Sequence, residues 1–348
     1  MEKIALIMAA GEGTRMKSAT PKTLHEICGV PMLEHVMRAI EPVCKEQAVI
    51  VGYGKEKVIA AYKGRVQFVE QKGDGWGTGF AIKCAAPLLE GRHGVALISA
   101  GDMPLVLSET FERLVSTVER GEASAAILTM QVDQPFGYGR IVRENGKVSA
   151  IVEQKDLTPE QQGIREINSS VYAFDIDALL WALPQLTNDN HAHEYYLTDV
   201  ISLLHKGGYS VTTVPVIEQA ECMGINDRVQ LAEADREMRR RINNKHLREG
   251  VTMIDPSRVY IQPGVSIGRD TVIHPGCEIG SGCVIGEKCV LRAGCQIAFS
   301  HVGAGSQIGN SLIKHSTIGS CVRMEHAVVE NARVEDGSVI EPFTVIKG

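Results

Sequence analysis

Three short stretches combine residue types able to hold a polyphosphate and a divalent cation. Residues 6–22 read LIMAAGEGTRMKSATPK: an apolar strand ends in Ala9-Ala10 and runs into Gly11-Glu12-Gly13-Thr14-Arg15. Glycines after a strand let backbone N–H groups approach phosphate closely. The loop lacks the Gly-Lys-Ser/Thr end of a Walker loop. It also departs from the dinucleotide fingerprint, because Met16 stands at the third glycine position. Arg15 and Lys22 supply cations, and Pro21 stiffens the approach to Lys22. A triphosphate needs several such donors as charge moves onto a leaving pyrophosphate. An ordinary βα turn with basic surface residues would carry the same letters, so the loop needs company. Asp102, in Gly101-Asp102-Met103-Pro104 after the strand VALIS, is placed to hold Mg²⁺, which takes one or two protein oxygens plus phosphates. Gly224-Ile225-Asn226 offers an amide oxygen as a second ligand.

These residues need a scaffold that presents strand ends. Apolar runs at residues 4–10, 48–51, 95–99 and 125–132 read as strands. Helical spacing covers 32–43 and 108–120, the latter with Ser108 as its expected N-cap. Strands alternating with helices predict an α/β domain with a mostly parallel, Rossmann-like sheet over residues 1–226, with ligands beyond the carboxyl ends of the strands. Residues 227–250, charged and free of Gly and Pro until Gly250, predict one connecting helix.

From 251 to 348 the period changes. Ile261, Ile267, Ile273, Ile279, Ile285, Leu291 and Ile297 fall six residues apart. The phase slips through Val302, Ile308, Ile313 and Ile318, and the six-residue spacing resumes at Val322, Val328, Val334, Ile340 and Ile346. A hexapeptide repeat predicts a β-helix in which each unit makes one flat side and one aliphatic residue per side points inward. Gly268, Gly280, Gly286, Gly309 and Gly319 follow the aliphatic position, where corners are expected. Cys277, Cys283, Cys289 and Cys295 share the period, and successive copies belong on different sides. That favours packing as small apolar groups over a zinc tetrahedron. His191 and His193 beside Glu194 are likewise a weak zinc pattern.

With 36 Lys plus Arg against 42 Asp plus Glu, the net charge of −6 argues against a nucleic-acid partner. No apolar run reaches the ~18 residues of a membrane span. The start, Met-Glu-Lys-Ile, shows no export signal, and nine Cys without a CxxC pair fit a reducing compartment, so the cytoplasm is expected.

Taken in order, the loop with Lys22, Gly101-Asp102-x-Pro104, Gly137-Tyr138-Gly139-Arg140, Val152-Glu153-Gln154-Lys155-Asp156, Glu166-Ile167-Asn168, Glu194-Tyr195-Tyr196-Leu197-Thr198-Asp199 and Gly224-Ile225-Asn226 resemble the bacterial N-acetylglucosamine-1-phosphate uridyltransferases. These form the first halves of bifunctional enzymes whose second half is a left-handed β-helix with glucosamine-1-phosphate acetyltransferase activity. The resemblance covers nearly the whole chain. It implies UTP on Met8, Ala9, Ala10, Gly11 and Gly13, with uracil read by Gln71, Gly77 and Thr78. Arg15 and Lys22 are the implied catalytic cations, and Asp102 and Asn226 the implied Mg²⁺ ligands. The sugar 1-phosphate falls to Gly139, Glu153, Asn168 and Asn226, and the expected assembly is a homotrimer through the β-helix. The sugar-phosphate oxygen would then attack the α-phosphorus in line, with catalysis by positioning and charge neutralisation.

Three departures stand out. Gln71 fits the uracil reader only with one residue inserted in KGDGW (72–76), Ala100 replaces a larger residue, and Ser169-Ser170 replaces the usual Thr-Gly after Asn168. The Asn-Tyr-Asp-Gly acetyl-transfer loop does not occur, so no acetyltransferase activity is expected. The alternatives are another sugar-1-phosphate nucleotidyltransferase and a non-catalytic hexapeptide-repeat regulatory homologue.

Overall fold

The computed structural model describes all 348 residues. They form two compact units, residues 1–25 with 31–231 and residues 26–30 with 232–348.

The first unit is built on one sheet. Its strands are β1 (Glu2–Ala9), β2 (Glu46–Val51), β3 (Gln67–Glu70), β4 (Gly94–Ala100), β5 (Ala125–Gln131), the hairpin pair β6 (Arg140–Glu144) and β7 (Lys147–Val152), β8 (Glu166–Asp175) and β9 (Val211–Pro215). The spatial order is β9-β5-β8-β4-β1-β2-β3, with the hairpin attached through β8. β1 runs parallel to both β2 and β4, whereas β8 is antiparallel to β4 and β5. The sheet is therefore mixed around a parallel centre.

Side-chain alternation along β1 explains why the sheet is covered on both faces. Ala5 and Ile7 pack with α1 (Met32–Ile40), α2 (Lys55–Tyr62) and α4 (Ser108–Glu119). Ile4 and Leu6 pack with α3 (Thr78–Ala85), α5 (Ile176–Ala182) and α6 (Asp199–Lys206). Ser108 is the first residue of α4 rather than its cap. Leu107 takes the cap position, and its N–H donates to the Glu221 carboxylate at 3.0 Å. The buried Glu221 carboxylate thus fixes the chain entering the helix, while no side chain caps its first turn. Because β1 and β4 are parallel neighbours, the chain leaves both at the same edge, and the Gly101 N–H donates to the Met8 carbonyl at 2.9 Å.

The helix expected over 227–250 is α7 (Arg228–Arg248), and the division between the two units falls inside it, after Leu231. The second unit is a left-handed parallel β-helix. Strands of two or three residues stack into three parallel sheets of six, six and five. Ile261, Ile279, Ile297, Ile313, Val329 and Ile346 form one inward column.

Two expectations about the repeat are corrected. After residue 318 the inward positions are Met324, Val329, Val334, Ile340 and Ile346, not Val322 and Val328. The coil has shortened there, so Ile308 pairs with Met324 and Ile313 with Val329. Val322 takes the buried small-residue position, while Val328 lies half-buried on the outer side of its strand. The glycines after the aliphatic positions do not turn the corners either. Residues such as Gly282 (φ 70°) and Phe299 (φ 49°) do that. At Gly268 the reason is close approach, since a Cβ would lie 2.5 Å from the Glu287 backbone nitrogen of the next coil.

Cys277, Cys283, Cys289 and Cys295 are all buried in the β-helix core as free thiols. Burial pushes the Cys283 and Cys289 thiols up. No helix is long and apolar enough to cross a membrane.

Neighbouring residues test the corrected register. Val329→Ala should cost about 2 kcal/mol in chemical denaturation, from lost transfer energy plus a cavity. Val328→Ala should cost less than half of that; equal costs would contradict the assignment of inward positions.

Candidate active site

The edge where β1 and β4 end carries the phosphate-type residues. Gly13 adopts the left-handed conformation (φ 64°). A Cβ there would sit 2.7 Å from the Cβ of Lys22, so the glycine also lets the two loop segments meet. Met16, which spoils the dinucleotide fingerprint, is 1% exposed and anchors the short turn Thr14–Met16 that carries Arg15. Gly11 faces open space. The Ala10 carbonyl accepts the Tyr53 N–H at 3.0 Å, tying the loop to the end of β2.

Four of the expected residues converge. The Lys22 ammonium forms an ion pair with Asp102 and donates to the Asn226 Oδ1 at 2.7 Å. Arg15 Nη2 donates to the same Asn226 oxygen at 2.9 Å. Backbone contacts hold the acceptors in place. The Ile225 N–H donates to the Asp102 carbonyl at 3.1 Å, and the Asn226 N–H donates to Gln230 Oε1 at 2.7 Å. Gln230, on α7, was not singled out from the sequence; only the recurrence of a polar residue one turn into a helix would have pointed to it.

The donor set fits a hard divalent cation. One carboxylate and one amide oxygen already face cationic groups, Lys22 at both and Arg15 at the amide. Mg²⁺ characteristically takes few protein oxygens and fills its remaining positions with water and phosphate. No group of three His, Cys, Asp or Glu side chains is arranged to hold a metal ion. His191 instead pairs with Asp156, Nδ1 to Oδ1 at 2.7 Å.

A second group forms around the hairpin. The Gly139 carbonyl accepts the Asn168 N–H at 2.9 Å. A Cβ on Gly139 would lie 3.4 and 3.5 Å from the two Glu153 carboxylate oxygens. Thr198 Oγ1 donates to Glu153 Oε1 at 3.2 Å, so Thr198 belongs to this group too. Burial raises the Glu153 carboxyl above its ordinary value, and the nearby Asp199, Asp156 and Glu194 charges add to the effect. Asn168 is 5% exposed; its Nδ2 donates to the Tyr172 hydroxyl at 2.7 Å and its Oδ1 accepts the Ser170 N–H at 3.2 Å. Asn226 makes no hydrogen bond to this second group; its partners are Lys22, Arg15, Gln230 and Gly224.

The third set lies at the start of α3. Gly77 (φ 103°) precedes the helix, and the Gly79 N–H donates to the Tyr195 carbonyl at 2.7 Å. Thr78 Oγ1 accepts the Leu197 N–H at 3.1 Å. The Gln71 N–H continues the β2–β3 pairing by donating to the Val51 carbonyl at 2.8 Å, while its side chain makes no hydrogen bond. The inserted segment ends at Trp76, which is 73% exposed.

Residues 5–169 match the MobA-like NTP transferase domain, and residues 256–347 match the GMPPB C-terminal domain. The chain is 42% identical over 358 residues to the bifunctional protein GlmU of Clostridium novyi, spanning 100% of this chain and 78% of that protein. It is 45% identical to the protein of the same name from Clostridium perfringens, covering 99% of this chain and 78% of the relative. For that of Lactobacillus delbrueckii subsp. bulgaricus the identity is 45%, over 100% and 73% respectively. Among solved structures, a Bacillus anthracis protein described as a glucose-1-phosphate thymidylyltransferase, crystallised with sucrose, superposes with a TM-score of 0.54. It is 18% identical over 67% of this chain and 94% of its own length, a likeness of fold.

The acidic surroundings of Glu153 carry a pH prediction. Burial, with the Asp156 charge second, raises Asp199 from 3.8 to about 6. The folded state therefore holds a proton that the unfolded chain releases, and stability falls as pH rises from 3.8 to about 6. Relative to wild type, the Tm of Asp199→Asn should improve across that interval and level off above it. A difference that does not change with pH would contradict the raised value.

Proposed function

Because this chain belongs to the bifunctional GlmU family, we propose that it transfers a uridylyl group from UTP to N-acetylglucosamine 1-phosphate, giving UDP-N-acetylglucosamine and pyrophosphate. A nucleotidyltransferase domain is already given by the family match. The observation that carries the finer reading is the convergence of Lys22, Arg15, Asp102 and Asn226 at the ends of parallel strands.

In this reading the backbone of Met8, Ala9, Ala10, Gly11 and Gly13 receives the nucleotide. Gln71, whose side chain is uncommitted, reads uracil together with Gly77 and Thr78. Arg15 and Lys22 bind the triphosphate oxygens, so Lys22 turns its ammonium from Asp102 towards phosphate when UTP arrives. Asp102 and Asn226 would hold Mg²⁺, which when bound supplies charge neutralisation at the phosphates. Gly139, Glu153 and Asn168 orient the sugar; Glu153 Oε1 is engaged by Thr198, and Oε2 remains to accept a sugar hydroxyl. The incoming phosphate monoester is already ionised near neutral pH, so its oxygen needs no general base to attack the α-phosphorus. The bond to the leaving pyrophosphate breaks as the new P–O bond forms, while Arg15 and Lys22 neutralise the departing charge.

The same reading places the chain in the cytoplasm as a homotrimer assembled through the β-helix, whose three flat sheets favour side-by-side packing. It assigns no acetyl transfer to residues 251–348, which acetyl-coenzyme A and glucosamine 1-phosphate would check.

Pyrophosphate release across four nucleoside triphosphates and several sugar 1-phosphates tests the substrate pair; preference for another pair would replace it. Lys22→Ala and Asp102→Ala should each lower kcat by about 10²–10³ with an unchanged circular dichroism spectrum. Near-normal turnover in either variant contradicts the site. Light scattering should give three times the chain mass for residues 1–348 and one for residues 1–251; a monomeric full chain contradicts the assembly.

A further inference from the structure

The largest fully buried side chain in the protein belongs to a cation that the mechanism above does not use. Arg140, at the start of β6, is 2% exposed. Its two hydrogen-bonding groups reach neutral oxygens only. Nη1 donates to the Tyr138 carbonyl, and Nη2 donates to Gln154 Oε1 at 2.9 Å. Nε is buried without a partner. Burial pulls the guanidinium below its ordinary value, while the Glu153 charge pulls it back up.

For stability alone this is a poor choice. A buried charge is costly unless paired, and an apolar side chain of similar volume often serves a core better. What the guanidinium does achieve is geometric. Gln154 Oε1 also accepts the Gly137 N–H, at 2.9 Å. One rigid fork therefore fixes the carbonyl of Tyr138, and through Gln154 it fixes the N–H of Gly137. Both lie in the turn that ends at Gly139, and Gln154 directly follows Glu153. The backbone of Arg140 meanwhile pairs with Val152 of β7 and Ile167 of β8, next to Glu153 and Asn168. Gly139, Glu153 and Asn168, contributed by three separate segments, thus meet around one residue, whose side chain ties together the turn 137–139 and Gln154 and whose backbone lies beside Val152 and Ile167.

We propose that Arg140 is a positioning residue for the sugar 1-phosphate, holding the turn 137–139 against Glu153 through Tyr138 and Gln154. It touches neither substrate. The inference rests on the uridylyltransferase reading, because it assigns the sugar to Gly139, Glu153 and Asn168. A specific consequence is that its loss acts on one substrate and not the other, since none of the nucleotide residues is hydrogen-bonded to Gly137, Tyr138, Arg140 or Gln154.

Steady-state kinetics of Arg140→Met, Arg140→Lys and Gln154→Leu, with UTP and N-acetylglucosamine 1-phosphate varied separately, test this. Arg140→Met should raise the sugar-phosphate KM about tenfold or more, as expected for losing charge-assisted hydrogen bonds, with the UTP KM within about twofold of wild type. Arg140→Lys, which keeps the charge but not the fork, should fall between the two. Gln154→Leu should reproduce the split, and it decides the matter if Arg140→Met does not fold. An unchanged sugar-phosphate KM, or an equal rise in both KM values, overturns the inference. Wild-type protein inactive on this substrate pair overturns the underlying reading, and the inference with it.

Discussion

One ammonium group held between two oxygens organises the front of this molecule. Lys22 faces the Asp102 carboxylate and the Asn226 amide, and Arg15 reaches the same amide. The four residues come from three distant stretches of chain, so nothing local brings them together. A parallel strand pair does. β1 and β4 end side by side, Gly101 is bonded to Met8, and Ile225 is bonded to Asp102. The cluster sets two cations against one carboxylate, so it keeps an excess of positive charge for an anionic ligand. A triphosphate with its own cation can substitute for both halves of that arrangement, giving phosphate to Lys22 and a divalent ion to Asp102.

The residues proposed above to hold the sugar follow a different principle. Glu153, Asn168 and Gly139 are half-buried or buried, and their polar atoms are largely engaged with one another or with Thr198, Tyr172 and Ser170. Such a network is rigid where its members are satisfied, and Arg140 Nε is a buried atom beside it that is not. Precision there is gained at the cost of burying Arg140, whereas a Cβ on Gly11 of the first loop would meet no other atom within 4 Å.

Much of this was legible in the residues. The strand-loop-cation pattern of 6–22, the Asp after VALIS and the six-residue period each carry a physical meaning of their own. What was not legible depends on contacts between distant segments. Residues 26–30 leave the α/β unit and join the repeat unit, where the Cys28 N–H donates to Asp235 Oδ1 at 2.7 Å; no periodicity marks that excursion. The bond from the Leu107 N–H to Glu221 at the start of α4 is hidden for the same reason. The repeat misled in a subtler way. Val322 and Val328 satisfy a six-residue count, but shortened coils move the inward position to Met324 and Val329, and only strand pairing reveals the shift. Arg140 stood in the sequence as part of a motif; its burial, which gives it meaning, is a tertiary property.

The central claim is that Asp102 and Asn226 exchange Lys22 for a divalent cation when a nucleoside triphosphate binds. Titration calorimetry of UTP with and without Mg²⁺, on wild type and on Asp102→Asn, addresses it without reference to turnover. The account predicts that Mg²⁺ tightens UTP binding to wild type and has little effect on the variant. An equal gain from Mg²⁺ in both proteins would contradict it.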